Sequence, residues 1–199
     1  MKRGGVVRCL RAGSLLAAAW AMASCASSPE PRFYALFPAR GEPLTSGPLE
    51  VQLRRPGLPG YLDRPQIVRQ EQRGKLEFFS AERWGAPLDD LVGSILTQDL
   101  GQRLPNARVY QESGAISSSP DVLVEVEIQR FELSESGSVE LVAQVAVHWP
   151  NAPAEDRLER YALKRAVRNR TTEQLVAQMS ELLAELADSI ARSLHERHP

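Results

Sequence analysis

Cys25 is the residue of this 199-residue chain whose chemistry is most legible. It follows Met22-Ala23-Ser24, where the apolar segment Ala12 to Ala23 gives way to a Ser/Pro-rich stretch. Lys2, Arg3, Arg8 and Arg11 lie in or before that segment's start, and no acid occurs before Glu30. A basic n-region followed by a short h-region is the pattern of a bacterial export signal. Small residues ahead of a cysteine resemble the lipobox, in which the thiol is acylated and the peptide is cut in front of it. The competing reading is an ordinary cleaved signal with an incidental cysteine. Met22 departs from the Leu that the lipobox prefers, but it is similar in size and apolarity.

Cleavage before Cys25 leaves 175 residues, removes Cys9 and four cations, and takes the formal charge from −1 to −5. With one acylated cysteine left, the mature chain has neither an intrachain disulfide nor a Cys-based metal site. Each buried CH₂ of an acyl chain contributes about 0.8 kcal/mol, so several chains on one thiol would hold the protein on its membrane. Ala26 and Ser27 differ from the Asp that typically retains lipoproteins in the inner membrane, which points to the inner leaflet of the outer membrane. The segment Ala12 to Ala23 is well short of the roughly 20 apolar residues a spanning helix needs.

Other reactive groups are sparse. The mature chain holds no Gly-x-Ser-x-Gly elbow, no Gly-x-Gly-x-x-Gly and no Walker sequence, and His-x-x-His occurs only as His195 and His198 at the C-terminus. His148 falls on the polar parity of a strand with Glu140 and Gln144 and reads as solvated rather than as a general base. Glu125 and Glu127 share a strand face and read as solubilising. No catalytic residue, metal ligand or cofactor is therefore expected. A near-neutral charge offers no broad basic field for nucleic acid. Arg160, Lys164 and Arg168 share one parity and form either a solvated face or a basic stripe for anionic headgroups or an acidic partner. Tyr61, Leu62 and Trp84 are bulky residues in or beside loops, either plugs of the core or anchors for a partner.

These residues need a scaffold. Eight of the 14 prolines fall between Pro29 and Pro65, so the first part of the mature chain is extended. Residues 25–32 form a lipidated tether, whose seven residues after Cys25 reach at most about 25 Å. Short apolar runs at Phe33 to Phe37, Leu49 to Leu53, Gln66 to Gln70 and Leu76 to Phe79 predict strands. Leu88, Leu91, Val92, Ile95, Leu96, Leu100 and Leu104 recur at three and four, predicting a helix from Pro87 to Leu104. Val122 to Ile128 alternate, Phe131 and Leu133 continue on the opposite parity, and the slip near Gln129-Arg130 predicts a bulge. Ser134 to Ser138 turns into a second alternating run, Val139 to Trp149, to make a hairpin. Leu158 to Val167 reads as a third strand of that meander or as a helix. Thr171 with Gln174 predicts a capping box ahead of a helix with Leu175, Met179, Leu182, Leu183, Leu186, Ile190 and Leu194 on one face.

Several segments, in order, resemble one family: Phe33-Tyr-Ala-Leu36, Tyr61-Leu-Asp-Arg-Pro-Gln-Ile-Val68, Arg83-Trp-Gly-Ala-Pro-Leu88 opening a Leu-rich helix, and Asp121-Val-Leu-Val-Glu-Val126 leading to Phe131. Together with the lipobox they are similar to the ABC-type transport auxiliary lipoproteins of the paraquat-inducible protein C (PqiC) type. The resemblance implies an outer-membrane lipoprotein that serves mammalian-cell-entry (MCE) domain proteins in carrying lipid between membranes, in a family whose members can form rings. It also implies an α/β sandwich similar to the anticodon-binding-domain-like fold. The expectation is thus a signal peptide at 1–24, a tether at 25–32 and one α/β domain at 33–199. That domain carries two long amphipathic helices on a mixed, largely antiparallel sheet. The rival function is a structural or assembly lipoprotein of the envelope; a periplasmic hydrolase is a third.

Overall fold

Alternation of Val, Ile and Leu with polar residues dictates the central ladder of the computed structural model, which describes residues 30–112, 119–169 and 171–196. Strand β6 (Val122–Leu133) pairs antiparallel with β7 (Ser138–His148), and β7 pairs antiparallel with β8 (Arg157–Ala166). The β6–β7 turn needs Gly137, whose φ of 77° is costly for a side chain. The register shifts between Ile128 and Arg130, so a bulge lies where the sequence predicts it. It returns Phe131 and Leu133 to the buried face already lined by Val124, Val126 and Ile128.

The other edge of β6 is used along its length by three separate pieces of chain. Strand β2 (Glu50–Leu53) pairs parallel with Val122 to Val124, Gly57 bridges to Glu127, and β3 (Gln66–Gln70) pairs parallel at Leu133. The carboxylate of the exposed Glu127 folds over Gly57, into the space a Cβ there would take. From β3 one arm continues through β4 (Leu76–Trp84), antiparallel, to β1 (Arg32–Tyr34), parallel to β4; from β2 the other arm adds β5 (Arg108–Gln111), also parallel. Four pairings are therefore parallel and three antiparallel among the described residues. The sheet is mixed, as expected, but it is not largely antiparallel in its pairings: the antiparallel ladders are the long local ones, and the parallel ones join distant segments.

Helices α1 (Leu88–Arg103) and α2 (Thr172–His195) pack on each other, with α2 lying against β6, β7 and β8. Thr171 caps α2, its side chain accepting from the Gln174 N–H at 3.4 Å. Every residue of the predicted α2 stripe is buried. Pro87 sits just outside α1 in an extended conformation, since its ring fixes φ while the chain is still turning into the helix. Strand β4 runs five residues past the predicted Phe79, because Glu82, Arg83 and Trp84 pair with β1 and Arg83 also with β3. Leu158 to Val167 resolves as strand β8 with its even-numbered side chains exposed. The predicted strand at Phe33 to Phe37 is shorter, and Phe33, 64% exposed, and Phe37 lie outside the core. No helix among the described residues is long and apolar enough to cross a membrane.

Candidate functional site

The three bulky loop residues do not form a surface together. Leu62 is 2% and Trp84 5% exposed, and both belong to the single hydrophobic core. As anchors on the folded chain they are corrected by this burial: Trp84 ends β4, where its N–H donates to the Pro65 carbonyl at 2.8 Å and its indole is covered. Tyr61 is half-buried and differs from both. Its hydroxyl donates to Glu132 Oε2 at 2.8 Å, and burial together with that carboxylate raises the phenol well above its ordinary value.

Glu132 marks the first of two polar clusters. The bulge turns it off the apolar face, yet it is buried, with Tyr61 against it. Its carboxylate accepts the Phe131 N–H at 2.8 Å and pairs with Arg130 at 3.2 Å; Arg130 also reaches Glu140 at 3.0 Å and Gln70 at 2.6 Å. Lys164 joins at Glu140, 3.2 Å away. One member of the expected basic stripe is thereby neutralised, while Arg160 and Arg168 remain exposed.

The second cluster was not anticipated from the sequence. Asp99 and Arg103, one turn apart on the buried face of α1, are sealed by the segment 37–46, which crosses both helices. The Phe37 N–H donates to Ser180 Oγ at 3.2 Å, the Ala39 N–H to Asp99 Oδ1 at 3.0 Å, and the Leu44 N–H to the Arg103 carbonyl at 2.7 Å. Arg103 Nε pairs with Asp188 of α2, and its Nη1 donates to the carbonyls of Asp99 at 3.0 Å and Ala39 at 3.3 Å. Burial pushes the Asp99 carboxyl up to about 6, against the opposing pull of the Ala39 N–H and Arg103. The only sequence signal was two polar residues, i and i+4, interrupting a leucine stripe.

His148 is more engaged than a solvated side chain. Its Nδ1 lies 2.8 Å from Asp156 and its Nε2 3.4 Å from Glu125; the Asp156 bond chiefly raises its pKa. Glu140 and Gln144 are not its partners. His195 Nδ1 lies 2.6 Å from Ser46 Oγ, which ties the end of α2 to the 37–46 segment. His198 and Cys25 lie outside the described residues. Among the described residues no three His, Cys, Asp or Glu side chains converge as a metal site.

A branched mixed sheet carrying two packed helices, whose polar clusters tie loops to the core, defines a mixed α/β fold. The chain matches the family model for the ABC-type transport auxiliary lipoprotein component over residues 34–191. It belongs to that family. Two crystal structures share the fold. One, titled an uncharacterized protein, aligns with a TM-score of 0.69 at 17% identity, covering 82% of this chain and 97% of that one. The other, protein XCC0632 from Xanthomonas campestris, assigned to the family model DUF330, aligns with a TM-score of 0.66 at 15% identity, covering 80% and 92%. No curated protein shows a significant match.

Proposed function

We propose that this chain is a non-enzymatic accessory subunit of an MCE-type intermembrane lipid-transport system, anchored to the periplasmic face of the outer membrane through an acylated Cys25. The family match over residues 34–191 carries the reading, since an auxiliary component of a transport system implies partner proteins. The sequence Met22-Ala-Ser-Cys25 behind a basic n-region supports the anchor, with residues 1–24 removed and 25–32 as tether. The two-helix sheet supports assignment to the anticodon-binding-domain-like sandwich. The MCE-domain protein is the intended partner, and a ring of identical chains is the assembly the family resemblance favours. Of the three loop residues, Tyr61 is the proposed partner contact, a reading its half-exposed ring supports.

Fatty-acid labelling in cells tests the anchor. Wild-type protein should take up label and fractionate with outer-membrane vesicles, whereas Cys25→Ser should be unlabelled and either soluble or unprocessed. A wild-type protein that stays unlabelled and soluble would overturn the assignment.

A further inference from the structure

The domain begins as an edge strand whose residues alternate between core and solvent. Tyr34 is half-buried and Leu36 lies in the core, whereas Phe33, Ala35 and Phe37 are exposed. Side chains two apart on an extended chain share a side, so the exposed three form one outward row that continues past the end of β1. Phe33 is 64% and Phe37 43% exposed. The backbone behind the row is fixed: Phe33 pairs with Arg83 of β4, the Gly85 N–H donates to the Tyr34 carbonyl at 2.8 Å, and the Phe37 N–H donates to Ser180 Oγ at 3.2 Å.

Single apolar side chains in water are ordinary, but two phenyl rings on one row of an otherwise folded edge form a patch. Phe78, also exposed, shows the contrast, because the Arg64 guanidinium stacks 4.1 Å from its ring centre. Among the described residues no guanidinium stacks on Phe33 or Phe37. Place in the chain decides what covers them. Phe33 is eight residues after Cys25, so the two are at most about 29 Å apart. A membrane that holds Cys25 by acyl chains is therefore within reach of the row. Two rings alone would bind a bilayer weakly, but a short tether makes their insertion intramolecular, at an effective concentration of about millimolar. A row one side chain wide also falls well short of the about 800 Å² per partner of a stable protein interface.

We infer that Phe33, Ala35 and Phe37 insert into the headgroup and upper acyl region of the membrane that holds Cys25, so that the occupant of this patch is a lipid surface. The inference rests on the acylated anchor proposed above and is independent of the MCE-domain partner.

Tryptophan quenching tests it. The full lipidated chain, its acylation read by mass spectrometry and its fold by circular dichroism, is placed in vesicles of phosphatidylethanolamine and phosphatidylglycerol whose acyl chains are brominated and quench tryptophan on contact. Wild type supplies the background, since Trp84 and Trp149 are each 5% exposed. Phe33→Trp and Phe37→Trp should each lose at least half of the emission they add. Leu158→Trp, on the separate edge strand β8, should lose none. Acylated protein whose probes at 33 and 37 stay unquenched, or are quenched no more than the probe at 158, overturns the inference and leaves the anchor standing; cross-links between copies through position 33 would then assign the patch to a second chain. Protein that carries no acyl group refutes the anchor, and the inference falls with it.

Discussion

Replacing Trp84 by alanine separates a core role from a docking role in one experiment. The indole is 5% exposed at the end of β4 and packs in the same core as Leu62 and Leu88. Truncating a buried Trp to Ala typically costs about 3 to 5 kcal/mol, the transfer of the ring plus the cavity it leaves. The domain from Pro31 to Pro199 has 169 residues. Unfolding entropy of about 2.1 cal/mol/K per residue gives it about 0.35 kcal/mol/K, so Tm should fall by about 9 to 14 °C. Trp84→Phe keeps most of the apolar volume and should fall by less than half as much. Thermal melts of the full chain in detergent, followed by circular dichroism, read both. A Trp84→Ala protein that melts within about 2 °C of wild type yet loses its partner would refute this placement of the side chain.

Three other perturbations probe the polar clusters. Tyr61→Phe strips one donor from the buried Glu132 carboxylate and should cost about 1 to 3 kcal/mol in urea unfolding; no change in midpoint would mean that water replaces the hydroxyl there. The carboxyl of Asp99 titrates higher in the folded state, about 6 against 3.8, so the folded chain binds more protons in that window. Its contribution to stability is therefore largest below pH 3.8 and declines by up to about 3 kcal/mol as pH rises through 6. The stability difference between wild type and Asp99→Asn should change in that direction between pH 4 and 7, and a flat difference would contradict it. His148 titrates above 6.5, held up first by Asp156; the stability it adds is present below pH 6.5 and is lost as pH rises through its raised value. NMR should find its midpoint above 6.5 in wild type and lower in Asp156→Asn, and a wild-type midpoint at or below 6.5 would exclude the pairing.

Local pattern was readable and remote pairing was not. The bulge at Gln129-Arg130 announces itself because the apolar parity changes there, and α2 because seven apolar residues share one helical face. Strand β5 left no such mark: four residues on a sheet edge, mostly half-buried, show no clean alternation. The parallel pairings join residues as far apart as Val51 and Val122, and a strand's sequence carries no sign of which distant strand it meets. An antiparallel bias follows when hairpins are the only pairings visible. At the candidate site, position beside Pro and Gly identified Trp84 and Leu62 as loop residues but said nothing of burial. That is decided by what packs over them. Asp99 and Arg103 were passed over for a related reason: charged residues within a leucine stripe read as its solvent-facing gaps until the 37–46 segment is seen to close over them.

The proposed role, holding an MCE-domain protein at the outer membrane, is open to test in cells. Its most direct test is purification of the full lipidated chain from chemically cross-linked cells, with the cross-linked products identified by mass spectrometry. An MCE-domain protein should be the principal adduct, lost in Cys25→Ser because the unanchored chain no longer sits opposite its partner. Adducts confined to outer-membrane assembly or cell-wall proteins, with no MCE-domain protein among them, would contradict it and favour the structural lipoprotein instead.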